Sequence, residues 1–115
     1  MTLFEKIAAH TIPADIVYED DQCIAFHDIN PQAPIHVLIV PRKPIVRVGD
    51  TGDDDAALLG RLLIASGKIA AQLGVKDPGT AGYRLVINHG RDAGESVPHL
   101  HLHFLAGRSL AWPPG

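Results

Sequence analysis

Residues 99–103 read His-Leu-His-Leu-His, and Phe104 extends the alternation by one more apolar position. A strict period of two fits a β-strand and no helix, because successive side chains of a strand point to opposite faces. The pattern predicts a strand with His99, His101 and His103 on one face and Leu100, Leu102 and Phe104 on the other. The apolar face can seal against a core. The imidazole face is expensive to bury for structure alone, and imidazole serves as acid, base, nucleophile or metal ligand near neutral pH. The strand therefore reads as functional.

The rest of the chain supplies elements for such a strand to pack against. Thr2 followed by Glu5 has the capping-box offset, and Leu3, Phe4 and Ile7 recur at helical spacing, which predicts a short first helix ending before Pro13. Residues 16–19 and 23–28 flank Asp20-Asp21 and read as a hairpin, with Ile24, Phe26 and Asp28 on one face of its second strand. After the rigid loop 30–34, residues 36–40 (His-Val-Leu-Ile-Val) form an apolar run that predicts a central strand buried on both faces. Thr51 and Asp54 look like a second capping box. Leu58, Leu62, Ala65, Ile69 and Leu73 then mark the main helix, which stops at Gly74. Gly60 and Gly67 weaken that helix, so their spacing points to a close neighbour such as a partner helix, or else to loose packing. Residues 83–88 predict a further strand, and Gly90, Gly94 and Ser96 predict tight turns or an anion cradle before the histidines.

A chain of 115 residues with 46% hydrophobic content is read as one domain, residues 1–115, with a modest core. A formal charge of −3 offers no basic field for nucleic acid or an anionic membrane, although a small phosphorylated ligand can still bind locally. The lone Cys23 excludes an internal disulfide and a cysteine-rich zinc site, which fits a reducing cytoplasm. Residues 1–10 lack the pattern of a signal peptide, and no apolar run is read as long enough to span a membrane.

Two chemistries compete for the histidines. Zinc is one, but strand rise places the α-carbons of His99 and His103 roughly 13 Å apart, near the limit for two imidazoles on one ion, and no nearby residue in sequence offers a fourth ligand. Nucleophilic catalysis is the other. A phosphoryl centre needs placement and donors around its oxygens, and the Gly94–Ser96 turn can offer amides and a hydroxyl beside the imidazoles. His101 is the natural nucleophile because it alone has an imidazole on each side.

His99 to Leu105 has the form His-φ-His-φ-His-φφ and resembles the signature of the histidine triad (HIT) nucleotide-binding proteins. Residues 26–36 (Phe-His-Asp-Ile-Asn-Pro-Gln-Ala-Pro-Ile-His), residues 82–88 and the ending Trp112-Pro113-Pro114-Gly115 resemble the HINT branch of that family. The resemblance implies an α+β, HIT-like fold: a five-stranded antiparallel sheet with one short and one long helix, joined into a ten-stranded sheet across a homodimer. It implies a hydrolase of purine nucleoside 5′-phosphoramidates and related adenylates, of AMP or GMP type, without metal or other cofactor. The position matched by His101 attacks the α-phosphorus, and water then releases the nucleoside monophosphate.

By the same resemblance His36, His99 and His103 surround the phosphate, and Ser96 lies near the phosphate and the leaving group. Asp28 holds the ribose hydroxyls, and Leu3, Phe4, Ile7, Ile12, Phe26, His27 and Ile29 line a purine slot. Asn88, Gly94, Glu95 and Val97 fall at phosphate and ribose contacts, and Trp112 on the leaving-group side of the partner's site. Glu95 stands where many relatives have glutamine, which predicts a negative charge near an anionic phosphate, and Pro98 replaces a common aromatic. The contrasting expectation is a nucleotide-binding regulatory or interaction protein with little relevant turnover.

Overall fold

A computed structural model describes residues 2–115, and its sheet is built from alternation. The elements run α1 (Leu3–Ala8), β1 (Ile16–Glu19), β2 (Cys23–His27), β3 (Ile35–Pro41), α2 (Ala56–Leu73), β4 (Tyr83–Val86) and β5 (Leu102–Ala106). All five strands pair antiparallel in the order β1-β2-β3-β5-β4, so the apolar run predicted as central does occupy the middle of the sheet.

The strands β2 and β3 divide their side chains between two cores. Cys23, Ala25, Val37, Ile39, Leu102, Phe104 and Ala106 pack on one face with Leu62, Ala65, Ile69 and Ala70 of α2. Ile24, Phe26, Leu38 and Val40 point the other way and pack with Phe4, Ile7 and Ala8 of α1. Only the α2 face is fully covered. The short α1 leaves part of the opposite face open, where His36 and His103 project.

Local sequence accounts for most helix ends. Thr2 Oγ1 accepts from the Glu5 N–H, and the Glu5 carboxylate accepts from the Thr2 N–H, both at 3.1 Å. Gly74 closes α2 in the left-handed conformation, with φ of 75°. The second capping box is corrected. Thr51 donates its hydroxyl back to the Val48 carbonyl, and a 3-10 turn over Asp53–Asp55 precedes α2. There Asp55 accepts from the Gly52 N–H and binds Lys43 at 2.8 Å.

Three further expectations change. A side chain built at Gly60 or Gly67 would meet nothing within 4 Å, so no close neighbour of this protomer explains either glycine. Residues 53–73 are long and apolar enough, by length and composition, to cross a membrane, although Arg61 and Lys68 interrupt the apolar residues. In this fold that helix lays Leu62, Ala65 and Ile69 on the sheet. Finally, the histidine strand starts only at Leu102. Residues 99–101 bend away and the Leu100 N–H donates to the Ile45 carbonyl at 2.7 Å instead of to a strand. β4 stops nearby, at Val86, which pairs with His103 one residue inside the start of β5.

Candidate active site

On the α1 side of the sheet lies a cavity of about 670 Å³, a size suited to a nucleotide-sized ligand. Leu3, Phe4, Ile7, Ile12 and Phe26 form an apolar end, and Asp28, His36, Ser96, His101 and His103 a polar one. The Phe4 and Phe26 rings meet edge to face at 5.6 Å, and Phe4 meets the His101 ring in the same manner at 5.0 Å.

Antiparallel register brings the polar groups together. Leu38 of β3 lies opposite His103 of β5, so His36, two residues earlier on the same face, is the diagonal neighbour of His103. Their rings bond through His36 Nε2 and His103 Nδ1 at 2.8 Å. The Gln32 N–H donates to His36 Nδ1 at 3.0 Å. That amide fixes both rings. His36 must carry its proton on Nε2 and donate to His103 Nδ1, leaving His103 with Nε2–H as a hydrogen-bond donor. Burial first, with help from the neighbouring His101 and His36 rings and against the pull of Asp28, pushes the His103 pKa down to about 4. Burial likewise lowers that of His36 despite Asp28 Oδ2 at 3.5 Å. Both imidazoles are neutral at physiological pH.

The free imidazole lone pair belongs to His101. Its Nδ1 lies 2.7 Å from the His99 carbonyl, an acceptor, so the proton sits on Nδ1 and Nε2 keeps a free lone pair. His101 is itself buried but lines the cavity.

His99 departs from the expected ladder. It is 1% exposed, does not line the cavity, donates Nε2–H to the Pro41 carbonyl at 2.9 Å and accepts from the Thr2 hydroxyl at 3.1 Å. The bend at 99–101 leaves the His99 ring outside the cavity while its carbonyl holds the His101 ring.

Other residues also shift from their expected places. Ile29 borders the cavity but is 98% exposed, because the Asp28 carboxylate accepts the Asn30 N–H and throws Ile29 outward. His27 and Val97 line the cavity, whereas Asn88, Gly94 and Glu95 do not. Asn88 lies past the end of β4, and Glu95 turns to Arg47 at 2.9 Å. Trp112 is 80% exposed, beneath the Arg84 guanidinium at 5.7 Å and outside this cavity. Sequence reasoning missed Gln32, whose contribution comes from its backbone, and Thr2 as a partner of His99.

Ligand atoms of Asp28, His36 and His103 lie within 4.8 Å of one another, a grouping that invites a metal. The tautomers do not suit one. A neutral His36 binding an ion through Nε2 would need its proton on Nδ1, directly against the Gln32 N–H.

The antiparallel sheet thus holds a free-lone-pair imidazole beside a hydrogen-bonded pair of histidines. The model of the HIT domain family matches residues 9–110. An uncharacterised HIT-like protein of Synechocystis is 53% identical over 99% of this chain and 96% of its own length. Among solved structures, a HIT family hydrolase from Legionella pneumophila Philadelphia 1 superposes with a TM-score of 0.94 at 48% identity, covering 100% of both chains. A histidine triad protein from Clostridium difficile superposes with a TM-score of 0.89 at 41% identity, covering 96% of this chain and 93% of its own. The chain belongs to the HIT family.

Proposed function

We propose that this chain is a metal-independent hydrolase of purine nucleoside 5′-phosphoramidates, of the HINT type, working through a nucleotidyl-His101 intermediate. The observation that carries the proposal is the His101 ring: the His99 carbonyl takes Nδ1–H and leaves the Nε2 lone pair free in a cavity with one apolar and one polar end. In the first step Nε2 attacks the α-phosphorus, the P–N bond breaks and the amine leaves with a proton. Water then attacks the same phosphorus, breaks the P–Nε2 bond and frees the nucleoside monophosphate.

The surrounding residues divide the remaining work. Phe4, Phe26, Ile7 and Ile12 enclose the base, and the second oxygen of Asp28 accepts from a ribose hydroxyl. His103 Nε2–H and the Ser96 hydroxyl donate to the phosphoryl oxygens and the leaving group. His99 and His36 act through His101 and His103 respectively. The similar Legionella protein is described as a hydrolase, which agrees with turnover rather than binding alone.

The test is hydrolysis of adenosine 5′-phosphoramidate with intact-mass analysis of the quenched enzyme. Wild type should turn over and show a mass increase of one nucleotidyl group, and His101→Ala should lose at least 1000-fold in kcat with no adduct. Equal rates in the two proteins would remove His101 as nucleophile, and binding of AMP without turnover by wild type would favour a regulatory nucleotide binder.

A further inference from the structure

We propose that Arg47 is a positioning residue, whose guanidinium clamps the Ser96-bearing segment and supplies the countercharge that lets an acidic residue stand next to the phosphoryl site. The inference rests on the phosphoramidase reading for its catalytic readout but not for its structural one. Glu95 immediately precedes Ser96 and Val97, both of which line the cavity with His101 and His103. An uncompensated carboxylate there would oppose an anionic substrate.

Both carboxylate oxygens of Glu95 are occupied. Oε2 meets Arg47 Nη2 at 2.9 Å, and Oε1 accepts from the Gly90 N–H at 3.2 Å, which ties the start of the loop to its end. The side chain is only 12% exposed, against 38% for Arg47, so the pair lies in a partly desolvated position where the Coulomb attraction is stronger than on open surface. Burial raises the Glu95 pKa, but the Gly90 amide, the Arg47 guanidinium and nearby His89 together outweigh it and keep the group ionised.

A second tie joins the same two segments. The Gly49 N–H donates to His89 Nδ1 at 3.1 Å, and the approach is close enough that a Cβ at Gly49 would collide with the imidazole. Segments 47–49 and 89–95 are thus zipped at both ends, and Ser96 emerges from the zipped loop. A neutral glutamine at 95 would need no cation opposite. The charge pair is the chain's own solution to an acidic residue in this loop.

The experiment compares wild type, Arg47→Gln, Arg47→Lys and the double variant Arg47→Gln/Glu95→Gln. Arg47→Gln should lose about tenfold in kcat/KM for adenosine 5′-phosphoramidate, Arg47→Lys should lose less, and the double variant should regain most of the loss because no charge is left unpaired. The wild-type rate should also fall as salt screens the pair, more steeply than that of the double variant. In ligand-free protein, hydrogen exchange at amides 90–96 should quicken in Arg47→Gln. An unaltered rate and exchange in Arg47→Gln, or a double variant as impaired as the single, overturns the proposal. If wild type hydrolyses no nucleoside phosphoramidate, the functional reading fails while the exchange measurement still decides the clamp.

Discussion

Because the Gln32 N–H points at His36 Nδ1, a proton on that nitrogen would set two hydrogens against each other, and the chain runs on to His103. Protonating His103 at Nδ1 would break its bond to His36. A histidine in the unfolded chain titrates near ~6.5, whereas native His103 titrates at about 4. Between those values the unfolded state binds a proton that the native state lacks, so stability falls as pH drops from ~6.5 to about 4 and this effect is flat outside the window. The limit is roughly 3 kcal/mol, with His36 contributing in the same direction. Urea midpoints at pH 7 and pH 4.5 should therefore differ more in wild type than in His103→Gln; equal differences would disconnect the pH sensitivity from this ring. The identities of His36, His101 and His103 were legible in sequence, but their tautomers were not. Those depend on a backbone amide, which any residue type but proline would carry at 32, and on a backbone carbonyl, which every residue type would carry at 99.

At the scale of elements, α1 does more than cover the sheet. Its cap residue Thr2 accepts from the Glu5 N–H and donates to His99 Nδ1, while Phe4 packs edge to face on both His99 and His101. A six-residue helix is marginal alone, so its hold on the sheet depends on such contacts. Thr2→Val should lower stability by about 1 kcal/mol through the lost cap and should weaken AMP binding, with Thr2→Ser near wild type in both. Binding unaffected by Thr2→Val would show that the helix stays docked without the hydroxyl. The capping box here was plain from Thr2 and Glu5. The apparent one at Thr51 was not real, because Asp55 reaches Gly52 and Lys43 more readily than Thr51 reaches forward. Alternation correctly placed Leu100, Leu102 and Phe104 in the α2 core. It failed for His99, since a period of two describes a strand only where a neighbouring strand pairs with it.

The whole molecule presents β4 at one edge of the sheet, and a free edge offers unpaired backbone groups to another strand. Tyr83 stands exposed at the start of that strand and Ile87 just past its end, and α2 exposes Leu63 and Ile64 along the stripe that carries Gly60 and Gly67. Small residues between exposed apolar ones allow a close helix approach, which the protomer itself does not use. The ten-stranded dimer sheet that the family resemblance implies would join two protomers at such an edge, with the exposed Trp112 left to reach the partner. Light scattering should then give a dimer mass, and Leu63→Glu/Ile64→Glu should yield a folded monomer. If Trp112 completes the partner's leaving-group side, the monomer should bind AMP as wild type does yet discriminate poorly among phosphoramidates that differ in their amine. Trp112→Ala within the dimer should reproduce that loss of discrimination. A monomeric wild type, or a monomeric variant with unaltered amine selectivity, would confine each active site to its own chain.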